Sequence, residues 1–522
     1  MTIAEAPAPT PPADAKPEVA RQIRGSSLLL VGRLLSLATN LGVQVLLVRS
    51  LSKDDFGMFA YALAIVSTLA TLITFGLDRG LARFLAIFEE RGDRAKFWGT
   101  IALQLGAIFG LGLAAIGVVV GFQGWIGTSL VHDDRLASLL AVMVVLAPIQ
   151  AVDQMAGSVF AVFAKSRAIF LRRYIVAPLL RLTIIVLLVV FHGSVYFLGV
   201  GYVAAGLFGL AVYGSLLRRL LRDRGLWERP ETGPRVSIPY AEIGAFTLPL
   251  LVSDLMFVVL NTSDVVILGR TAGTAAVASY RAVLPVARLN QLVMNSFSLL
   301  FAPLMARMWT RGDRQALGQA YWQTAAWVAV LSFPLFALTL GLAGPITVRL
   351  FGSRYADAAP YLAVLGLAYY FNAMLGFNGV TLKMAGRVWL VAGTAGAALV
   401  FNLAANLILI PRYGAMGAAC GTAATVVLYN LLKQWGLHRG TGITLFDRQY
   451  LSLYGTIAVS TICLASLGPL GAPALLCLAV VMVTSTAVLL MGRHVLAMGE
   501  LFPELRRVPL VGHFLTSGGR KS

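Results

Sequence analysis

Long apolar runs alternate with short polar segments along most of the chain. Each run holds about twenty residues, which at about 1.5 Å per residue is enough to cross a hydrocarbon core of about 30 Å. Fourteen such runs predict fourteen transmembrane helices and an all-α, polytopic membrane protein. The predicted spans are residues 28–50, 57–77, 97–121, 136–163, 174–192, 195–217, 243–268, 276–305, 319–343, 357–382, 388–410, 413–436, 450–470 and 473–491.

The distribution of positive charge along the sequence predicts how the protein is oriented in the membrane. Of the 522 residues, 58% are hydrophobic and only 12% are charged, and the net charge is +19. With the amino terminus placed inside, and with Lys433 at the inner end of its span counted with the adjoining loop, inner segments hold 31 of the 42 Lys and Arg residues, outer loops hold 6, and spans hold the remaining five. Because positive residues collect on the cytoplasmic side, both termini are predicted to be cytoplasmic. The charge therefore requires no nucleic-acid partner.

The chain divides at its longest inner loop, and the two parts resemble copies. Tyr61 and Tyr280 are 219 residues apart, and Lys165 and Lys383 are 218 apart. This offset predicts two pseudo-symmetric six-helix bundles in a parallel repeat, with the substrate site at their interface. The predicted organisation is a disordered tail at 1–27, bundles at 28–217 and 243–436, a basic linker at 218–242, two further helices at 450–491 and a tail at 492–522.

Charged residues in the seventh and eighth spans form the most specific candidate site in the sequence. In an antiparallel hairpin, two residues at the same depth in the membrane have residue numbers that add up to a constant. For a turn centred near Ala272 this sum is 544. Asp264 with Arg281 gives 545, and Asp254 with Arg288 gives 542. Asn261 and Asn295 add amides nearby. These residues are interpreted either as structural ion pairs or as a polar cleft wall that binds phosphate or a coupling cation.

The first span also contains polar residues. Arg33, Asn40 and Gln44 share one helical face, and Arg49 lies at the outer end. They are candidates for substrate binding, although either arginine could instead snorkel to the membrane surface. Asp153 and Arg181 are predicted to form a structural pair between the fourth and fifth spans. No metal, cofactor or disulfide is predicted, because the three cysteines lie in apolar spans without metal-ligand spacing.

Three segments carry a family likeness. Residues 46–59, LLVRSLSKDDFGMF, resemble the "aryLgpeefGlf" signature of polysaccharide-export flippases, apart from Ser50 and Ser52. Residues 75–84, FGLDRGLARF, resemble the "lGl..al.Rf" that follows it, and residues 408–419, ILIPRYGAMGAA, resemble "liprfGi.GAA". With fourteen helices, the chain resembles the polysaccharide-transporter branch of the multidrug/oligosaccharidyl-lipid/polysaccharide exporter superfamily.

The resemblance implies a V-shaped pair of bundles in the bacterial cytoplasmic membrane. Such proteins move an undecaprenyl-diphosphate-linked oligosaccharide between leaflets by alternating access. The implied partners are this lipid, membrane lipid and enzymes such as a polysaccharide polymerase and glycosyltransferases. Flipping breaks no covalent bond, so no catalytic residue is expected, and arginine suits a diphosphate because its planar fork is always charged.

Two other functions are weighed. A cation-coupled multidrug or metabolite exporter belongs to the same superfamily, but it would favour twelve helices. A membrane polymerase or glycosyltransferase usually has a large outer loop, whereas here no outer loop exceeds about fifteen residues. Transport driven by ATP hydrolysis is disfavoured because the sequence lacks a Walker A motif.

Overall fold

The computed structural model describes residues 32, 35–74, 76–131, 133–163, 165–225, 236–468 and 470–495. Within these ranges the secondary structure is helical and includes no strand, as the sequence predicts. Ten of the described helices are long and apolar enough to cross a membrane, and Leu35–Ser50 is a shorter apolar helix. The protein is therefore a multi-pass helical membrane protein.

The chain forms two compact units. The first contains the described residues up to Ser50 together with Ala62–Leu255. The second contains Leu51–Tyr61 and the described residues from Met256 onward. The short segment Leu51–Tyr61 therefore belongs to the second unit, although it precedes most of the first unit in sequence.

The described residues before the basic linker form seven longer helices. They are α1 (Leu35–Ser50), α2 (Lys53–Ile73), α3 (Leu77–Glu90), α4 (Arg94–Gly121), α5 (Asp134–Val162), α6 (Arg167–Val190) and α7 (Val195–Asp223). A short helix and a π-helix, Gln123–Trp125 and Ile126–Val131, separate α4 from α5. A second π-helical stretch, Leu171–Val176, lies within α6.

The helices after the linker include two long ones that are each interrupted at a glycine. The helices are α8 (240–272), α9 (274–288), α10 (Leu292–Thr310), α11 (Arg314–Gly341), α12 (Ala343–Phe351), α13 (Ala359–Leu375), α14 (Asn378–Met384), α15 (388–413), α16 (415–441), α17 (Leu451–Leu467) and α18 (Ala474–Val495). Three 3₁₀ turns complete the set, at Leu289–Gln291, Ser353–Ala358 and Arg448–Tyr450.

The two interruptions are hairpin turns. Gly273 has φ 79° and Gly414 has φ 55°, a left-handed region that glycine enters without strain. Tyr280 and Asp264 are hydrogen-bonded at 2.6 Å, yet residues 16 apart on one straight helix would be separated by about 24 Å. The chain must therefore fold back between them. The sequence predicts both turns, one near Ala272 and the other at residues 411–414.

A buried ion pair lies inside the first unit. Arg172 Nη2 lies 2.8 Å from Asp153 Oδ1, and the guanidinium carbon of this arginine lies 5.5 Å from the centre of the Tyr213 ring. The arginine is buried, and Gly209 lies so close that a Cβ there would overlap its guanidinium. These contacts link α5, α6 and α7.

This pair corrects the partner predicted for Asp153. Arg181 forms no ion pair with Asp153 in the part of the chain that the structure describes. The sequence analysis starts the fifth span at residue 174 and so leaves Arg172 in a loop. In the structure the helix begins earlier, and Arg172 lies in its π-helical stretch. A π-helix adds a residue to the turn and changes which side chain faces a neighbouring helix.

The core of the second unit is built around α11. Its side chains pack against α13, α18, α10 and α17. Phe336 stacks on Tyr370 with ring centres 4.3 Å apart, and the Tyr370 hydroxyl donates to the carbonyl oxygen of Ala329 at 2.9 Å. Tyr321 donates to Gln434 at 2.6 Å, so both buried hydroxyls have acceptors.

Residues 51–61 are tied to the second unit by charge and by close packing. Lys53 Nζ lies 2.9 Å from both carboxylate oxygens of Asp357, which also accepts from Ser279 at 2.7 Å. Gly57 lies against the backbone of Thr274, and a Cβ there would overlap the Thr274 carbonyl oxygen. The glycine of the signature segment thus permits contact between α2 and the start of α9.

We predict that Gly57→Ala lowers the amount of folded protein in the membrane. The added methyl group meets backbone rather than a flexible side chain, so one helix must shift. The expected cost is about 1–3 kcal/mol. The measurement is the membrane level and the thermal unfolding midpoint in detergent. Gly110→Ala is the matched control, since no atom lies within 4 Å of its added Cβ; equal behaviour of the two variants would contradict the contact.

We also predict that Arg172→Ala destabilises the first unit far more than Arg181→Ala. Removing Arg172 leaves the half-buried Asp153 carboxylate without its ion-pair partner, and the cost should be below the value of about 3–5 kcal/mol for a fully buried pair because this carboxylate keeps some contact with solvent. The double change Asp153→Leu/Arg172→Met removes both charges and should recover much of the loss. Thermal unfolding of the purified variants measures these differences. A larger loss for Arg181→Ala would show that the sequence-based pair is the correct one.

Candidate functional site

The polar residues predicted in the first span lie on α1, with one exception. Asn40 is exposed and donates to Ser36 Oγ at 2.9 Å, one turn earlier. Gln44 is half-buried, and Arg49 is exposed near the end of the helix. Arg33 lies outside the described residues. Because exposed amides are disfavoured in lipid, Asn40 and Gln44 are expected to face water or protein.

In the second unit, the Asp264 carboxylate is held by a tyrosine. Tyr280 donates to Asp264 Oδ2 at 2.6 Å, and its oxygen lies 3.1 Å from Thr422 Oγ1. Asp264 is 6% exposed, and Tyr280 is completely buried. The second carboxylate oxygen, Oδ1, accepts from the backbone N–H of Val265 at 2.8 Å. These bonds compensate much of the cost of burying a carboxylate.

The tyrosine replaces the partner that the sequence predicts for this carboxylate. No ion pair between Asp264 and Arg281 is present in the described ranges. As the sum of residue numbers predicts, a residue of the other hairpin helix at matching depth does reach Asp264. The sum selects the wrong side chain because neighbouring helical residues point about 100° apart, and Tyr280 rather than Arg281 faces α8.

Two arginines share one face of α9. Arg281 and Arg288 are seven residues apart, which is close to two helical turns. Arg281 is half-buried, and its buried Nε makes no hydrogen bond within the described residues. Arg288 is exposed, donates from Nε to the Tyr369 hydroxyl at 3.3 Å, and lies 5.8 Å from the centre of that ring. In the described part of the chain neither guanidinium has a carboxylate partner.

The side chain of Asp254 lies outside the described residues. The pair that the sequence predicts between Asp254 and Arg288 therefore stays a prediction. Asn261 and Asn295 are both half-buried, on α8 and α10.

The helix changes its hydrogen-bonding pattern directly after Arg288. Leu289–Gln291 is a 3₁₀ turn between α9 and α10. Asn290 is completely buried there and donates from Nδ2 to the Ala287 carbonyl at 2.9 Å and to Thr339 Oγ1 at 3.2 Å. The amide thus satisfies a carbonyl at the irregular turn, as membrane burial requires. A 3₁₀ stretch within a helix often marks a functional position.

A second polar cluster joins α8 to the hairpin of α15 and α16. Ser263 donates to Asn402 Oδ1 at 3.0 Å, and Asn402 donates from Nδ2 to Thr425 Oγ1 at 3.1 Å. Asn406 Nδ2 lies 3.2 Å from Asn402 Oδ1, and Asn406 Oδ1 is buried without a partner among the described residues. The sequence analysis does not identify this cluster. Asn402 and Asn406 are one turn apart in a span, and that spacing is the signal that could have identified it.

The polar side chains of the second unit include groups that can bind an anion and groups that can bind a hydroxylated molecule. The arginines offer guanidinium donors for an anion, and the amides and hydroxyls offer the paired donors and acceptors that a sugar needs. Asp264, buried and hydrogen-bonded, is a carboxylate that could exchange a proton or another cation.

Comparisons with known proteins place the chain in a family. The sequence matches the family described as "Polysaccharide biosynthesis protein" over residues 23–309 and the family "MatE" over residues 249–408. An uncharacterized membrane protein of Methanocaldococcus jannaschii is 23% identical over 454 residues, which cover 83% of this chain and 86% of that protein. The succinoglycan biosynthesis transport protein ExoT of Rhizobium meliloti is 26% identical over 328 residues, covering 62% of this chain and 61% of that protein.

Two solved structures share the fold. An inward-facing multidrug resistance MATE family transporter of the MOP superfamily has a TM-score of 0.63 at 14% identity, covering 78% of this chain and 95% of that one. Lipid II flippase MurJ, in an inward closed conformation, has a TM-score of 0.62 at 12% identity, covering 93% of this chain and 100% of that one. Because the first family match covers more than half of the sequence, the chain belongs to the polysaccharide biosynthesis protein family, in the polysaccharide-transporter branch of the multidrug/oligosaccharidyl-lipid/polysaccharide exporter superfamily.

Proposed function

We propose that the protein is a flippase that moves a diphosphate-linked oligosaccharide lipid across a bacterial cytoplasmic membrane by alternating access. The proposal extends to this chain the kind of cargo that the names of its relatives describe, a succinoglycan biosynthesis transport protein and a lipid II flippase. In this proposal the protein itself forms and breaks no covalent bond.

The observation that carries the proposal is the face of α9 with Arg281 and Arg288. Unpaired guanidinium groups are costly within a membrane span, and they are retained where they pair with a ligand or face water. A diphosphate supplies several acceptor oxygens, and a planar guanidinium can bind two of them at once. The amides of Asn261 and Asn295 would bind the sugar hydroxyls.

A cation-coupled exporter is a second candidate from the same superfamily, and one observation favours it. Asp264 is a buried carboxylate in a membrane helix, and such groups often take up protons or cations. The two functions differ in which residue is indispensable. A flippase that binds diphosphate requires the arginines, whereas a cation-coupled exporter requires the carboxylate.

We further propose fourteen membrane helices with cytoplasmic termini. The breaks at Gly273 and Gly414 support this count, since each divides one long helix into two. The two parts of each divided helix would cross the membrane in opposite directions.

Reporter fusions test this topology. Fusions at Arg354 and Gly471 should report the outer side, and fusions at Arg94 and Arg439 should report the inner side, because positive residues concentrate in the segments assigned to the interior. The measurement uses a periplasmic enzyme and a cytoplasmic fluorophore as paired reporters. A single position on the opposite side would overturn the assignment of the helices around it.

Substitution of Arg288 tests the flippase. Arg288→Ala should reduce surface polysaccharide at least about tenfold, since a hydrogen bond to a charged group contributes about 1.5–3 kcal/mol. Arg288→Lys should recover little, because an ammonium lacks the bidentate fork. Arg281→Ala should act in the same direction. The amounts of surface glycan and of protein in the membrane are measured together in each strain.

Two further strains separate binding from packing. Arg412→Ala is the control, since this arginine is exposed in the hairpin turn and should leave export unchanged. The double variant Asp254→Ala/Arg288→Ala removes both members of the predicted pair. Normal export by that double variant would leave only a structural function for Arg288. Loss of export in Asp264→Asn together with normal export in both arginine variants would favour the cation-coupled exporter.

A further inference from the structure

A lysine of the second unit is buried without a carboxylate or hydrogen-bond partner among the described residues. Lys433 lies on α16 and is only 6% exposed. It is eight residues before the end of the helix at Thr441, a distance of about 12 Å along the axis. Within the described residues its ammonium has no carboxylate in ion-pair contact and makes no hydrogen bond.

The ammonium points away from the nearer end of its helix. Nζ lies 4.0 Å from the centre of the Tyr429 ring, one turn earlier on α16. A snorkelling lysine would extend in the other direction, toward the end of the helix and water. Nor does Nζ bind the last carbonyls of the helix, which is the usual stabilising use of a lysine near a C-terminus. Apart from the contact with the ring, the charge of Lys433 therefore has no stabilising interaction in the part of the chain that the structure describes.

The neighbouring helix α14 adds a second cation. Gly379 on α14 lies against Lys433, whose Cδ and Nζ are 3.4 Å and 4.0 Å from the position that a Cβ on Gly379 would take. Lys383 is four residues later on the same helix, on the same face, and is exposed. The two ammonium groups are close enough to repel each other.

More positive charge lies at this end of the helices. Arg387 follows α14 and contacts Gly440 near the end of α16, so both helix ends lie at the same membrane face. Arg439 lies over the Trp435 ring at 4.1 Å. The charge count along the sequence assigns this face to the cytoplasmic side. Two ammonium groups that repel each other, one of them on a buried side chain, are unfavourable, and an anion between them would offset that cost.

We propose that Lys433 and Lys383 bind the phosphate of a lipid headgroup at this end of the second unit. A phosphate offers oxygens to both ammonium groups and offsets the cost of burying Lys433. Two lipids share this chemistry, an anionic phospholipid and a polyprenyl diphosphate. The second source rests on the proposed flippase function, and the first does not.

Binding to purified full-length protein tests the site. The protein is placed in nanodiscs of phosphatidylcholine, of phosphatidylcholine with phosphatidylglycerol, or of phosphatidylcholine with undecaprenyl diphosphate. Lipid adducts are counted by native mass spectrometry, and the thermal unfolding midpoint is recorded. The wild type should bind at least one anionic lipid at least about tenfold more tightly than Lys433→Met does, as expected for a charged hydrogen bond.

A set of variants separates a loss of lipid binding from a loss of folding. Lys433→Met retains the length of the side chain, and in pure phosphatidylcholine it should unfold at the same temperature as the wild type or higher, because it removes an unpaired buried charge. Lys433→Arg should retain binding. If Lys433→Met fails to fold, Lys383→Met provides the same measurement at an exposed position. Arg412→Met, an exposed arginine in the turn at the other end of α16, should bind lipid as the wild type does.

The two lipids give separate outcomes. Loss confined to phosphatidylglycerol identifies a phospholipid site, and loss confined to undecaprenyl diphosphate identifies a substrate site. Unchanged binding of both lipids by Lys433→Met and Lys383→Met overturns the proposal. Nanodiscs with phosphatidylglycerol contain no polyprenyl diphosphate, so the result in them does not depend on the flippase proposal at α9.

Discussion

The constraint on which this structure depends is the absence of water in the hydrocarbon core of a membrane. Every polar group on a membrane-spanning helix must find a partner within the protein or face an aqueous space. Most of the described interior follows this rule. Tyr280 satisfies Asp264, Arg172 forms an ion pair with Asp153, and Asn290 satisfies a carbonyl at an irregular turn. Arg281 and Lys433 are among the residues that depart from this rule, and for both we propose ligands.

Much of the fold follows from the sequence because hydrophobic length and glycine are strong, local signals. The turns near Ala272 and at residues 411–414 are observed as breaks at Gly273 and Gly414. The family likeness rests on short motifs and is confirmed by the family match. One motif also acquires a physical explanation, since Gly57 permits close contact with the backbone of Thr274.

Side-chain pairing is harder to predict, since it depends on rotation about each helix axis. A sum of residue numbers gives depth but not direction, and for this reason it pairs Asp264 with Arg281 rather than with Tyr280. The Asp153 prediction fails because a π-helical stretch changes the register near Arg172. Lys433 is missed because it lies close to the end of its span, where a charge count treats it as part of a loop. The amides of Asn402 and Asn406 are missed because asparagine is uncharged and does not contribute to a count of charges.

The 3₁₀ turn at Leu289–Gln291 also affects the polar face beyond it. Each 3₁₀ residue turns the chain by about 120° instead of about 100°, and rises about 2.0 Å instead of about 1.5 Å. Over three residues the helix therefore gains about 60° of rotation and about 1.5 Å of length. Asn295 is seven residues after Arg288 and would fall about 20° to one side of it on a regular helix. With the 3₁₀ turn it falls about 40° to the other side. The polar stripe thus winds around the helix, and an extended cargo that followed it would have to twist along its own length.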